Sequence, residues 1–136
     1  MANYYASSRT NYFRVTDEKE YKNLFQNLIA ESGVYDFTKE IDGVVYHAFG
    51  AYDAVDYKNG DDDYDFDEFL NSLQKIIAED DAFIYMESGC EKLRYITGCA
   101  IIVTKDKIET VDIRRDALNK AREMLDNKEF NTQLSY

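Results

Sequence analysis

DEKEYKNLFQNLIAE, residues 17–31, returns 48 positions later as DFDEFLNSLQKIIAE, residues 65–79, with Asp, Glu, Asn, Gln, Ile, Ala and Glu identical at seven places. Each copy opens on an Asp followed three residues later by a Glu, a variant of the capping box that starts helices. Each also carries an apolar stripe at helical spacing: Tyr21, Leu24, Phe25, Leu28 and Ile29 in the first, Phe66, Phe69, Leu70, Leu73, Ile76 and Ile77 in the second. Two amphipathic helices are therefore expected at 17–31 and at 65–79. A third, at 116–127, carries Ala117, Leu118, Ala121, Met124 and Leu125 on one side.

Working outward, the intervening segments read as strands. Residues 10–15 are rich in strand formers. Residues 34–40 and 44–49 flank Ile41-Asp42-Gly43, and Asp-Gly supplies the positive φ of a tight hairpin turn. Residues 50–57 add a third strand. After the second helix come strands at 82–86, 93–104 and 108–113, the last reversal being Lys105-Asp106-Lys107. The order β-α-βββ-α-βββ-α predicts one α+β domain over residues 1–136: an antiparallel sheet covered by about three helices. The echo at constant offset, with Gly50 and Gly98 falling at the same offset, points to an internal duplication of units 17–57 and 65–113.

Composition sets the class. The 136 residues carry a net charge of −11, yet 45 % are hydrophobic and twelve Tyr and eight Phe are present, so the chain folds rather than behaving as a polyanionic tail. The longest apolar run, near Cys99 to Val103, is too short for a membrane span, and no signal peptide is visible at the start. Cys90 and Cys99 read as reduced thiols of a cytoplasmic protein. An acidic surface is repelled by nucleic acid and by anionic membrane, so neither is expected as a direct partner.

Catalytic signatures are missing. His47 is the single histidine, placed mid-strand and read as structural, and its spacing from Cys90 does not suggest a thiol site. No GxSxG, Walker loop, GxGxxG after a strand or HExxH occurs. The protein is expected to be no enzyme and to use no cofactor. Asp61, Asp63 and Asp65 occupy the first three ligand positions of a calcium loop, but Phe66 stands where the turn needs glycine and Ser72 where it needs glutamate.

The feature that asks for a function is the run from Asp53 to Glu68, with eight carboxylates and one cation, Lys58. Carboxylates at this density are solvated, bind a cation or face a basic partner. Their spacing rivals that of phosphates on a nucleic acid, and interleaved tyrosines can stack on guanidinium planes. Asp61, Asp62, Asp63, Asp65, Asp67 and Glu68 are the candidate phosphate mimics, with Tyr57 and Tyr64 as contact rings. The competing explanation is that these acids solubilise the domain and cap the second helix.

The stretches NYYASSRTNYFRVTD (3–17), GVVYHAFG (43–50), EKLRYITG (91–98) and NTQLSY (131–136) resemble small acidic hypothetical proteins carried by phages, plasmids and integrative elements of gut Firmicutes. Acidic accessory proteins of such elements include anti-CRISPR and antirestriction proteins, several of them DNA mimics. The resemblance implies a non-enzymatic inhibitor in the cytoplasm of a bacterial host, acting on a basic nucleic-acid-binding protein such as a Cas effector or restriction complex. It transfers no functional residue. A homodimer is compatible with the sequence. The alternatives are an intracellular regulatory or ligand-binding module of a mobile element, and an enzyme using clustered carboxylates with a metal.

Overall fold

A computed structural model describes residues 4–60 and 63–132, with backbone only at residues 94 and 95. Leu134 and Tyr136, expected to dock the tail, lie outside the described residues. The elements run β1 (Tyr5–Thr10), α1 (Glu18–Phe25), β2 (Leu28–Ile29), β3 (Tyr35–Ile41), β4 (Val44–Ala51), β5 (Asp56–Tyr57), α2 (Phe66–Gln74), β6 (Phe83–Glu91), β7 (Arg94–Val103), β8 (Ile108–Asp112) and α3 (Ile113–Leu125). The fold is α+β. Six strands form an antiparallel sheet in the order β3-β4-β1-β6-β7-β8, and β2 pairs with β5 in a separate two-stranded ribbon. Among the described residues no helix is long and apolar enough to cross a membrane.

Three expectations shift. Residues 50–57 add no third strand to the sheet: β4 runs on to Ala51, and only Asp56–Tyr57 is a strand, in the ribbon with β2. The first strand lies at Tyr5–Thr10 rather than 10–15 and occupies the middle of the sheet, bonded to β4 on one side and β6 on the other. The chain leaves the sheet after Asn11, whose backbone amide still donates to the Ile84 carbonyl at 3.1 Å while its side chain accepts from the Ile84 amide at 2.8 Å and donates to the Ala82 carbonyl at 2.8 Å. Phe13 then turns into the core, fully buried, and is joined to β4 by a backbone bridge to His47. The helices are also shorter than their stripes. After Phe25 the chain extends, so that Leu28 and Ile29 pair with Tyr57 and Asp56, and after α2 Ile77 pairs with Val15. Leu28 and Ile77 are buried all the same, because an apolar residue can reach one core from either backbone state.

These short pairings orient the helices. The segment before α1 bonds the segment after α2, through Thr16 N to Ile76 O at 2.7 Å, and the segment before α2 bonds the segment after α1, through Lys58 N to Asn27 O at 2.8 Å. The two helices therefore run antiparallel in one layer, with their acidic starts at opposite ends. Both bury their stripes against the same sheet face, in a core of Phe13, Tyr21, Leu24, Phe49, Phe69, Leu73, Phe83 and Val103. Its centre is a set of mainly edge-on rings: Phe13 and Phe83 lie 5.1 Å apart, Phe49 and Phe69 5.9 Å.

Local chemistry sets the element ends. Asp17 accepts from the Glu20 amide and Asp65 from the Asp67 amide, so both echoed aspartates cap a helix. The expected hairpin closes at Asp42 and Gly43, with φ of 53° and 81°. α3 differs in kind. It leaves β8 directly, capped by Asp112, and buries no residue fully; Met124 is 79 % and Leu125 58 % exposed. Cys90 projects from one face of the sheet and Cys99 from the other, since Cys90 is paired with Tyr5 and Cys99 with Glu87 in an alternating ladder. They cannot join within one chain.

Two core tyrosines carry a pH dependence. Tyr21 is 4 % and Tyr85 3 % exposed, and burial pushes both hydroxyls well above the ordinary tyrosine range; the charges of Asp36 and Glu18 add to this at Tyr21, and Glu87 at Tyr85. In the unfolded chain both ionise near pH 10, so above that pH the unfolded state sheds protons the native state retains. Stability should therefore be full below about pH 10 and fall as pH rises further. Ultraviolet absorbance of phenolate should show Tyr21 and Tyr85 ionising only with unfolding. All twelve titrating together in a chain that remains folded would contradict this.

Candidate partner-binding surface

The acidic run folds into a tight loop that delivers α2. Lys58 and Tyr64 form an antiparallel bridge, Asn59 N donates to Asp63 O at 2.8 Å, and Gly60 turns the chain at φ 97°. Asp65 N then bonds Tyr57 O at 2.9 Å, and α2 begins at Phe66. Backbone bonds thus close the base of the loop, and Asp63, Asp65 and Asp67 are exposed beside it.

The candidate residues divide. Asp63, Tyr64, Asp65 and Asp67 are exposed, Tyr64 by 50 %. Asp65 caps α2 through its Oδ1 to the Asp67 amide at 3.0 Å. Asp67 and Glu68 occupy the first helical turn, where the amide dipoles favour negative charge. Glu68 does not reach back to the cap; its Oε2 accepts from Asn59 Nδ2 at 2.5 Å and ties the loop to the helix. Asp61 and Asp62 lie outside the described residues.

Tyr57 is a correction. It was expected as a contact ring, but it is 8 % exposed and packs 5.7 Å from Phe69 within the core. Pairing with Leu28 turns its ring inward while Asp56 and Lys58 point the other way. The alternation Asp-Tyr-Lys already carried that signal. Phe66 is likewise a core ring, 5.5 Å from Phe69 and 5.1 Å from Tyr85, which explains a large apolar residue where a calcium loop would turn on glycine.

Charge at this end of the molecule is uncompensated. Among the described residues no ion pair involves a carboxylate between Asp53 and Glu68. Some acids elsewhere do have a cation: Arg14 holds Asp80 at 2.7 Å and Asp81 at 3.3 Å, and Lys105 holds Glu79 at 3.3 Å. Nor, among the described residues, do three or more His, Cys, Asp or Glu gather as metal ligands. His47 and Cys90 are not brought together, since β4 and β6 are separated by β1. Compared with protein-family models, curated proteins and solved structures, the chain matches none.

Proposed function

We propose that the protein is a non-enzymatic inhibitor of a host defence nuclease, most concretely an anti-CRISPR protein that occupies the nucleic-acid groove of a Cas effector. The observation that carries this reading is the unpaired carboxylate set Asp63, Asp65, Asp67 and Glu68 beside the half-exposed ring of Tyr64, on a chain of net charge −11. A basic groove evolved for phosphates presents Lys and Arg at the spacing such acids can meet, and desolvated arginine planes accept a tyrosine face. The backbone-closed loop lowers the ordering cost of docking.

The partner is then a basic nucleic-acid-binding protein, and nucleic acid is the competitor. Association should be fast at low ionic strength and weaken steeply with salt. The test is a pull-down from host lysate followed by competition with guide RNA and target DNA. Displacement of the captured effector by nucleic acid is the expected result. A partner that binds equally well with its groove already filled would refute mimicry.

A further inference from the structure

We propose that a cavity between α1 and the β3–β4 hairpin binds an organic cation, a guanidinium or alkylammonium head. The cavity, about 330 Å³, is lined by Glu18, Tyr21, Phe25, Asp36, Thr38 and His47. It is distinct from the acidic segment at α2, and the inference does not rest on the mimic reading.

Four observations converge there. The Tyr21 hydroxyl is shut from solvent and is the buried side-chain polar atom left without a hydrogen-bond partner among the described residues. A buried hydroxyl in that state calls for a ligand atom or water. The rings of Tyr21, Phe25 and His47 form an aromatic wall: Tyr21 lies 4.4 Å from His47 and 6.1 Å from Phe25. The imidazole is held in place by its Nε2 on Glu18 Oε2 at 2.6 Å. Asp36, exposed on the edge strand β3, has no ion pair or side-chain hydrogen bond among the described residues, although its charge and that of Glu18 are felt at the Tyr21 hydroxyl.

Two carboxylates, three ring faces and a phenol oxygen suit a cation with N–H donors. The carboxylates supply charge-assisted acceptors, the rings supply cation–π contact, and the phenol oxygen can accept a further N–H. Lys22 also borders the cavity but is exposed, so its ammonium can stay in water. The cation can come from a free amine or from an arginine side chain of another protein.

His47, the single histidine, gives ring proton resonances that report directly on the wall. Agmatine stands for the free cation, a Gly-Arg-Gly peptide for the protein-borne one, and urea for an uncharged planar control. Agmatine and the peptide should shift the His47 signals saturably, and urea should not. Equal affinity for both means that the head alone is read; tighter peptide binding assigns the site to a protein-borne arginine. Asp36→Asn should weaken binding about tenfold, and Tyr21→Phe should weaken it with the hairpin amide spectrum unchanged. A variant with the acidic loop neutralised should bind as the parent does, which separates this site from the mimic reading. The proposal is overturned if neither cation shifts His47, if urea reproduces the shift, or if Asp36→Asn binds like the parent.

Discussion

Phe69→Ala should cost the fold about 3–5 kcal/mol, the range for deleting a fully buried ring whose cavity cannot collapse. Phe69 is 0 % exposed and is the ring on which both layers meet: Phe49 and Phe83 touch it from the sheet, Phe66 from its own helix and Tyr57 from the two-stranded ribbon. Loss of the ring strips contacts from four neighbours at once. A domain of this size has a total stability of about 5–15 kcal/mol, so the variant should be marginal at room temperature. With a urea m-value of about 1–3 kcal/mol/M, the unfolding midpoint should fall by more than about 1 M. Leu93→Ala, at a side chain 86 % exposed in the β6–β7 turn, is the control and should leave the midpoint nearly unchanged. Equal shifts in the two variants would show that the ring cluster is not the centre of stability.

The second large effect is functional. Replacing Asp61, Asp62, Asp63, Asp65 and Asp67 together by asparagine removes five charges at nearly constant shape. Asparagine caps a helix about as well as aspartate, so the role of Asp65 at the start of α2 survives. Glu68, which fastens Asn59, is left in place. Stability should therefore change little, and relief of mutual repulsion offsets lost dipole contacts. Each exposed pair with a partner cation contributes about 0.2–1 kcal/mol, so five acting jointly contribute about 1–5 kcal/mol, roughly fivefold to four-thousandfold in affinity. Interference assays should show inhibition collapsing while circular dichroism and melting temperature hold. A folded variant that still inhibits like the parent would leave the acids as a solubilising, capping loop.

Features governed by neighbouring residues could be read directly. Asp42-Gly43 announced its hairpin, Asp17 and Asp65 announced their caps, and the stripe from Phe66 to Ile77 identified the residues that fill the core. Features governed by partners distant in sequence could not. β1, with Ala6, Ser7 and Ser8, has little strand propensity; ladder bonds on both edges hold it, and Ser8 fastens to the Asp53 carbonyl at 2.7 Å. Helical periodicity continued past Phe25 and Gln74 because it records burial, whereas the chain there needed extended backbone to pair. In the acidic segment, composition located the charge but misplaced Tyr57: the alternation Asp-Tyr-Lys hinted at an inward ring, but its partner Leu28 lies on the far side of the β3–β4 hairpin. The cavity beside Tyr21 was invisible to sequence, since it exists only once α1 docks against β3 and β4.

The central position of β1 has a consequence for the growing chain. β1 waits for its second neighbour, β6, until Glu91 has been added, because Tyr5 pairs with Cys90 and Thr10 with Tyr85. Until then this sheet can hold only β3, β4 and β1, with one edge of β1 bare. Contacts this remote in sequence slow folding, since loop closure must precede the pairing that rewards it. The nascent half-sheet is therefore the stage at which association with another chain competes with completion, and carboxylates crowded between β4 and α2 put mutual repulsion into that intermediate.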